Sequence, residues 1–168
     1  MHFQAMTRDV FGMKEGLPPV YSPDCEILIL GSFPSVLSRG NFYYANPRNR
    51  FWQMLAQVFG EQVPTDIEGR KTFLLAHKIA LWDVVKRTEI KGSGDEDLKP
   101  TREQINDVAG LIAGGKIRKI LLNGGRSAEL FSKWLQKDIS LPAVKMGSTS
   151  TRNFRFDFKE WESQLKDI

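Results

Sequence analysis

Glu26-Ile-Leu-Ile-Leu-Gly31, continuing as Ser32-Phe-Pro-Ser-Val-Leu-Ser-Arg-Gly-Asn-Phe-Tyr-Tyr-Ala-Asn-Pro-Arg-Asn49, is the stretch that decides how this chain folds. Its first six residues form a short run, apolar on both alternating faces, as expected of a strand in a parallel sheet covered on both sides. The residues after it crowd glycine, proline, hydroxyl, amide, guanidinium and aromatic groups into one long loop, a mixture that scaffolding rarely needs. Phe51 or Trp52, Leu55, Val58 and Phe59 then recur at helical spacing, with Asn49 or Asn46 available as a cap and Gly60 as a stop. Strand, loop and helix in that order suit an open α/β sheet, where ligands bind beyond the carboxyl ends of the strands.

The rest of the chain repeats the alternation. Residues 1–24 hold no sustained period, and the prolines in Gly16-Leu-Pro-Pro-Val-Tyr-Ser-Pro-Asp24 favour extended or turn geometry, so this part reads as a lead-in arm. Thr65 to Ala76 is predicted helical, with Asp66 and Glu68 in its first turn. A second strand follows over Ile79 to Val85, with Asp83 near its end. Lys86 to Pro100 is polar and rich in turn residues and reads as a solvated loop. Helix is predicted from Thr101 to Gly114 on Ile105, Val108 and Ile112, a third strand over Ile117 to Asn123, and a helix from Gly124 to Leu135. Leu141 to Met146 is a fourth, weaker strand, Gly147 to Asn153 the loop after it, and Phe156 to Leu165 the last helix. The pattern predicts one three-layer α/β/α domain over residues 1–168, built on a mainly parallel sheet.

Composition narrows the function only a little. Lys and Arg number 24 against 20 Asp and Glu, a net +4 that suits a polyanionic partner but is shared by many proteins without one. Cys25 is the only cysteine, so no intrachain disulfide or cysteine-based metal site is expected, and His2 and His77 are too far apart in sequence for a histidine cluster. No metal or other cofactor is expected. The N-terminus lacks a basic-then-apolar layout and no apolar run approaches about 18 residues, which makes a cytoplasmic protein without a membrane span the default expectation.

In a parallel sheet the loops after the strands share one edge. That edge gathers Gly31 to Asn49, Asp83 to Asp97, Asn123-Gly-Gly125 and Gly147 to Asn153 into one rim of hydroxyls, amides and guanidinium groups, with Phe42, Tyr43 and Tyr44 as flat surfaces. Small residues and backbone amides approach phosphates closely and aromatic rings stack on bases. Taken singly, each element has a plainer reading: Gly31 ends a strand, Asn123-Gly-Gly125 fits a turn better than a site, and Ser148-Thr-Ser150 fits a capping cluster. Trp82 and Trp134, in apolar runs, read as core. Asp83 resists such treatment, because an acid at the end of a buried strand needs a partner. No phosphate-binding Gly-x-x-x-x-Gly-Lys, dinucleotide fingerprint, nucleophile elbow or paired histidines occur.

Several motifs in order resemble those of the uracil-DNA glycosylase superfamily. They are Gly31 to Ser38, Tyr43-Tyr-Ala-Asn-Pro-Arg-Asn-Arg-Phe-Trp52, Ile79 to Val85, Gly92-Ser-Gly-Asp95, Leu122-Asn-Gly-Gly125 and Gly147-Ser-Thr-Ser150. The branch they are most similar to is that of the hypoxanthine (deoxyinosine) DNA glycosylases, relatives of the mismatch-specific uracil/thymine enzymes. The resemblance implies a four-stranded parallel sheet between helices, a monomer, no metal, and hydrolysis of the N-glycosidic bond of a deaminated base flipped out of DNA.

Residue by residue, the resemblance implies a floor for base and sugar made of Gly31, Ser32, Phe33, Pro34 and Ser35, with Tyr44 as stacking ring and Ser93 and Asp95 completing the pocket. Where the mismatch-specific relatives place a water-positioning asparagine, this chain has Phe33, so the task falls to Asn49, with Asn46 as rival. Ser38, Arg48, Ser148, Thr149, Ser150, Thr151 and Arg152 are the expected contacts to double-stranded, or single-stranded, DNA. The loop Gly147 to Asn153 is expected to press into the minor groove. It departs from the branch pattern: Gly147 stands for a proline and Thr151-Arg152 for Pro-Ala, which predicts a looser, more cationic wedge. The alternative reading is a non-catalytic nucleic-acid-binding module that lost its water-holding residue.

Overall fold

The computed structural model describes residues 13–89 and 98–166. Four strands make the main sheet: β2 (Ile27–Gly31), β3 (Ile79–Asp83), β5 (Lys119–Asn123) and β6 (Ala143–Met146), in the order β3-β2-β5-β6 and parallel throughout. Two further strands, β1 (Met13–Glu15) and β4 (Arg87–Glu89), form a small antiparallel pair. The lead-in segment is therefore not a bare arm. It pairs through β1, and Val20 bridges to Leu81 on the open side of β3.

The doubly apolar pattern of β2 has the expected consequence. Ile27 and Ile29 point into one core and Leu28 and Leu30 into another, and all four are fully buried. The first core receives helices α1 (Phe51–Phe59) and α2 (Ile67–Ala76), together with Trp161 and Leu165 of the last helix, α5 (Phe158–Leu165). The second receives α3 (Val108–Ile112) and α4 (Gly125–Trp134). These are the three layers of an α/β/α sandwich.

Local chemistry sets the ends of the elements. Asp66 accepts from the Gly69 N–H and Asp157 from the Lys159 N–H, so α2 and α5 start later than their apolar periods suggested. Gly60 closes α1 in the left-handed conformation, at φ 62°. The strand read as Ile79 to Val85 ends at Asp83; Val84 and Val85 turn away to donate to the carbonyls of Gly31 and Ser32.

The helix expected over Thr101 to Gly114 is replaced by a 3-10 turn (Arg102–Gln104) and the short α3. Between them Ile105 is extended and bridges to Val85, while the buried Asn106 donates through Nδ2 to the Asp83 carbonyl at 2.8 Å. Apolar spacing at Ile105, Val108 and Ile112 imitated a helix that these tertiary bonds interrupt.

One side chain couples the first core to the loop after β6. Trp161 is fully buried and its Nε1 donates to the Gly147 carbonyl at 2.9 Å. Trp161→Ala is expected to cost about 3–5 kcal/mol in chemical denaturation, from cavity formation and lost packing. Trp161→Phe, which keeps most of the ring and loses the hydrogen bond, is expected to cost about 1 kcal/mol beyond its smaller packing loss.

Candidate active site

The chain leaves β2 for β3 on one side and then crosses to β5 on the other, so β2 and β5 flank the point where the strand order reverses, the usual place for a ligand in such sheets. A cavity of about 260 Å³ opens there. Its walls come from the ends of β2, β3 and β5 (Gly31, Asp83, Asn123), the loop after β2 (Ser32 to Ser35, Ser38, Tyr43, Tyr44, Asn46, Asn49) and the loop after β6 (Ser148 to Arg152). The sequence-predicted rim is thus brought together, with three differences. Arg48 is exposed and outside the cavity wall. Phe42, offered as a stacking surface, is buried in the first core. Ser93 and Asp95 lie outside the described residues.

Gly31 sits where a larger residue would have to displace the Asp83 carboxylate. A Cβ there would come within 2.4 Å of Asp83 Oδ1 and 3.3 Å of the Tyr44 hydroxyl. The parallel register puts Gly31 directly beside Asp83, whose carboxylate leans over the bare Cα. Asp83 is only 4% exposed. Its charge, after burial itself, helps to push the Tyr43 phenol far above its ordinary range, with Tyr44 adding a smaller push. Tyr43 therefore stays protonated and donates to the Pro18 carbonyl at 2.6 Å, a structural duty that removes it from the stacking candidates.

Tyr44 remains as the aromatic wall. It adopts φ +53°, a conformation that costs a non-glycine residue of order 1 kcal/mol and persists only where its surroundings enforce it. They do so at both ends of the side chain: the ring stacks on Phe51 at 4.1 Å, and its hydroxyl accepts from Asn123 Nδ2 at 3.1 Å. Asn123 also donates to Thr149 Oγ1 and accepts from the Thr149 N–H, both at 3.1 Å. The Asn123-Gly-Gly125 turn is thus also part of the site. Gly124, at φ +99°, lies so close to Ser148 that a Cβ would approach its Cβ to 3.1 Å.

Both candidate water-holding amides line the cavity. Asn46 Oδ1 accepts from the Arg48 N–H at 2.9 Å and Asn49 Oδ1 from the Phe51 N–H at 3.0 Å, which holds each side chain at a turn just before α1. A carbonyl oxygen has a second lone pair, so an amide anchored in this way can still orient a water. Ser38 and Thr149, expected to touch DNA, are 2% and 1% exposed. Ser38 Oγ accepts from Ser35 Oγ and from the Ala45 N–H, and Thr149 is held by Asn123, so both hydroxyls face inward and shape the loops. Among the cavity-lining residues, Ser35, Thr151 and Arg152 are the exposed ones.

The loop after β6 is not loose, as the missing prolines had suggested. Gly147 is held by Trp161 and by Glu160 Oε1, and Thr149 by Asn123. Arg50, at the start of α1, receives no emphasis from sequence, yet it makes three hydrogen bonds to this loop. Its N–H donates to the Thr149 carbonyl, and its Nη1 donates to the carbonyls of Ser150 and Asn153 at 2.9 and 3.0 Å. Asn153 closes the loop by donating through Nδ2 to the Ser148 carbonyl. Immediately after this fixed residue stands Phe154, 93% exposed, with Arg152 and Arg155 exposed on either side. A singly exposed apolar residue is common on protein surfaces, so what marks Phe154 is its place: on a loop held by several hydrogen bonds, next to the cavity wall and flanked by exposed arginines. The only signal for it in the sequence was its place next to the wedge motif.

Among the described residues no cluster of His, Cys, Asp and Glu could hold a metal ion, and no helix is long and apolar enough to cross a membrane.

No family model matches the chain. Curated relatives do. It is 40% identical over 119 residues to the hypoxanthine DNA glycosylase of Methanosarcina barkeri, covering 69% of this chain and 74% of the relative. It is 37% identical over 160 residues to the hypoxanthine DNA glycosylase of Methanosarcina acetivorans, covering 92% and 99%. Among solved structures it is similar to the solution structure of a candidate uracil-DNA glycosylase from Methanosarcina acetivorans, with a TM-score of 0.78 at 34% identity over 92% of this chain and 98% of that one. Identity of this order along nearly the whole length, joined to the same sheet architecture, places the chain in the hypoxanthine DNA glycosylase family of the uracil-DNA glycosylase superfamily.

Proposed function

We propose that this protein flips a deaminated base, hypoxanthine or uracil or thymine mispaired with guanine, out of DNA and hydrolyses its N-glycosidic bond. The observation that carries this reading is the cavity at the strand ends, in which fixed amides, hydroxyls and one anchored aromatic ring surround a space suited to a single base.

Breaking a glycosidic bond builds positive charge in the sugar ring, so the site must hold a water, steady the departing base and keep a favourable field. No lysine lines the cavity among the described residues, so water rather than an amine is the nucleophile in this scheme and no covalent link to the protein forms. Asn49 orients that water, Tyr44 stacks on the base, and Gly31 to Ser35 form the floor. Flipping costs a few kcal/mol, least for a mispaired base. Phe154 offsets part of that cost by entering the stack where the base was, while Arg152 and Arg155 lie against phosphates.

The rival is a binding module without catalysis, favoured by Phe33 alone, which stands where the mismatch-specific relatives carry their water-holding asparagine. Duplexes bearing hypoxanthine, uracil or thymine opposite each base, incubated with the protein and then treated with alkali, decide between them. Strand cleavage only at the lesion is the expected result; binding without abasic product on any duplex contradicts the proposal. Asn49→Ala is expected to lower the rate by about a hundredfold or more, the usual scale for losing a group that acts on the reacting water, and Asn46→Ala to lower it by less than about tenfold. Phe154→Ala is expected to slow excision from duplex by about ten- to a hundredfold, on the scale of a few kcal/mol for unstacking, and to leave excision from single strands unchanged. Equal loss on both substrates contradicts the role given to Phe154.

A further inference from the structure

Asp83 is unused by the scheme above, although it is the only acid among the described residues of the cavity wall. We propose that its carboxylate reads the ring N–H that deamination creates, and so refuses undamaged adenine and cytosine. The inference rests on the glycosylase reading and names how that site chooses its base.

The carboxylate is placed with unusual care. The Asp83 main chain is fixed in register against Gly31, its carbonyl accepts from Asn106 Nδ2 at 2.8 Å, and the next residue, Val84, donates to the Gly31 carbonyl at 2.9 Å. Gly31, by lacking a Cβ, leaves the space that Oδ1 occupies. A nearly buried carboxylate is expensive to keep at the end of a strand. Here it stands in a cavity whose other polar side chains, apart from the exposed Arg152, are amides and hydroxyls, groups that can turn or share donor and acceptor roles.

An ionised carboxylate has no such latitude, since it only accepts. Deamination of adenine or cytosine replaces an amino group by a carbonyl and puts a proton on the neighbouring ring nitrogen. Hypoxanthine, uracil and thymine therefore offer an N–H at the position where adenine and cytosine offer a lone pair. An acceptor-only wall bonds the first group and repels the second. This is the kind of buried polar match that discriminates far better than shape, because the wrong base leaves two lone pairs facing each other. Guanine also carries a ring N–H, so the carboxylate sets the choice against adenine and cytosine and not against guanine.

Excision is measured on duplexes carrying hypoxanthine, 1-methylhypoxanthine or adenine at one mismatched position, with wild type and with Asp83→Asn, an isostere that can present a donor. Wild type is expected to release hypoxanthine at least roughly tenfold faster than its 1-methyl analogue, and to leave adenine in place. Asp83→Asn is expected to slow hypoxanthine release by roughly ten- to a hundredfold, the scale of one charge-assisted hydrogen bond, and to narrow the gap between hypoxanthine and adenine. Wild type that accepts the 1-methyl analogue as readily as hypoxanthine overturns the proposal even if the variant fails to fold. A folded variant that slows all bases in the wild-type ratio also overturns it, because that outcome assigns Asp83 to support of the site. No product from any duplex with wild type defeats the glycosylase reading itself, and this inference with it.

Discussion

Asn123 ties the site together. From the end of β5 its side chain donates to the Tyr44 hydroxyl and to Thr149 Oγ1 while accepting from the Thr149 N–H, so one amide joins the loop after β2 to the loop after β6. Together with the Phe51 ring stacked on Tyr44 and the Arg50 N–H bonded to the Thr149 carbonyl, it fixes the position of both residues. Arg50 repeats the connection from the other side, reaching from the start of α1 to three carbonyls of the same loop. The cavity walls are therefore set before any ligand arrives. Such preorganisation is what a site needs if charge developing in a transition state is to be stabilised without rearrangement.

The rigid base has a second consequence. Phe154 projects from a loop held by Trp161, Asn123 and Arg50, and an apolar wedge is effective in a base stack only if it does not fold back when pushed. The same loop carries Arg152, so in the proposed scheme phosphate contact and intercalation come from one short, braced segment. Gly31 serves the opposite purpose at the cavity floor. Its missing Cβ brings Asp83 and Tyr44 close together, which concentrates the polar and aromatic surface of the pocket in a small volume.

The sheet was legible in the sequence because its signal is local. Ile27 to Leu30 are apolar on both faces, and each later strand is bounded by turn residues, so four strands and the edge on which their loops open could be read directly. The long loop from Gly31 to Asn49 was legible for the same reason, as its composition is abnormal within one short stretch. Arg50 and Phe154 were not legible as site residues, and Asn123, although placed on the rim, read more as a turn than as a site. Asn123 bonds to residues 79 and 26 positions away and Arg50 to residues 100 and 103 positions away, and local sequence does not specify such bonds even where the shared edge brings the loops together. The helix expected from Thr101 failed likewise: the period was real, but Asn106 is drawn to the Asp83 carbonyl, 23 positions back. Ser38 and Thr149, hydroxyls in suggestive motifs, line the cavity while their side chains are held by internal hydrogen bonds.

Every role proposed for the site requires that the cavity at the strand ends receive a base extruded from DNA. A crystal structure of the protein with a duplex carrying a 2′-fluoro analogue of deoxyinosine, which resists cleavage, tests it most directly. The account predicts hypoxanthine inside the cavity, its ring against Tyr44 and its N1–H on Asp83, with Phe154 in the vacated stack. A base that stays paired or stacked in the helix while the protein grips the backbone, or one held outside the cavity, would contradict it.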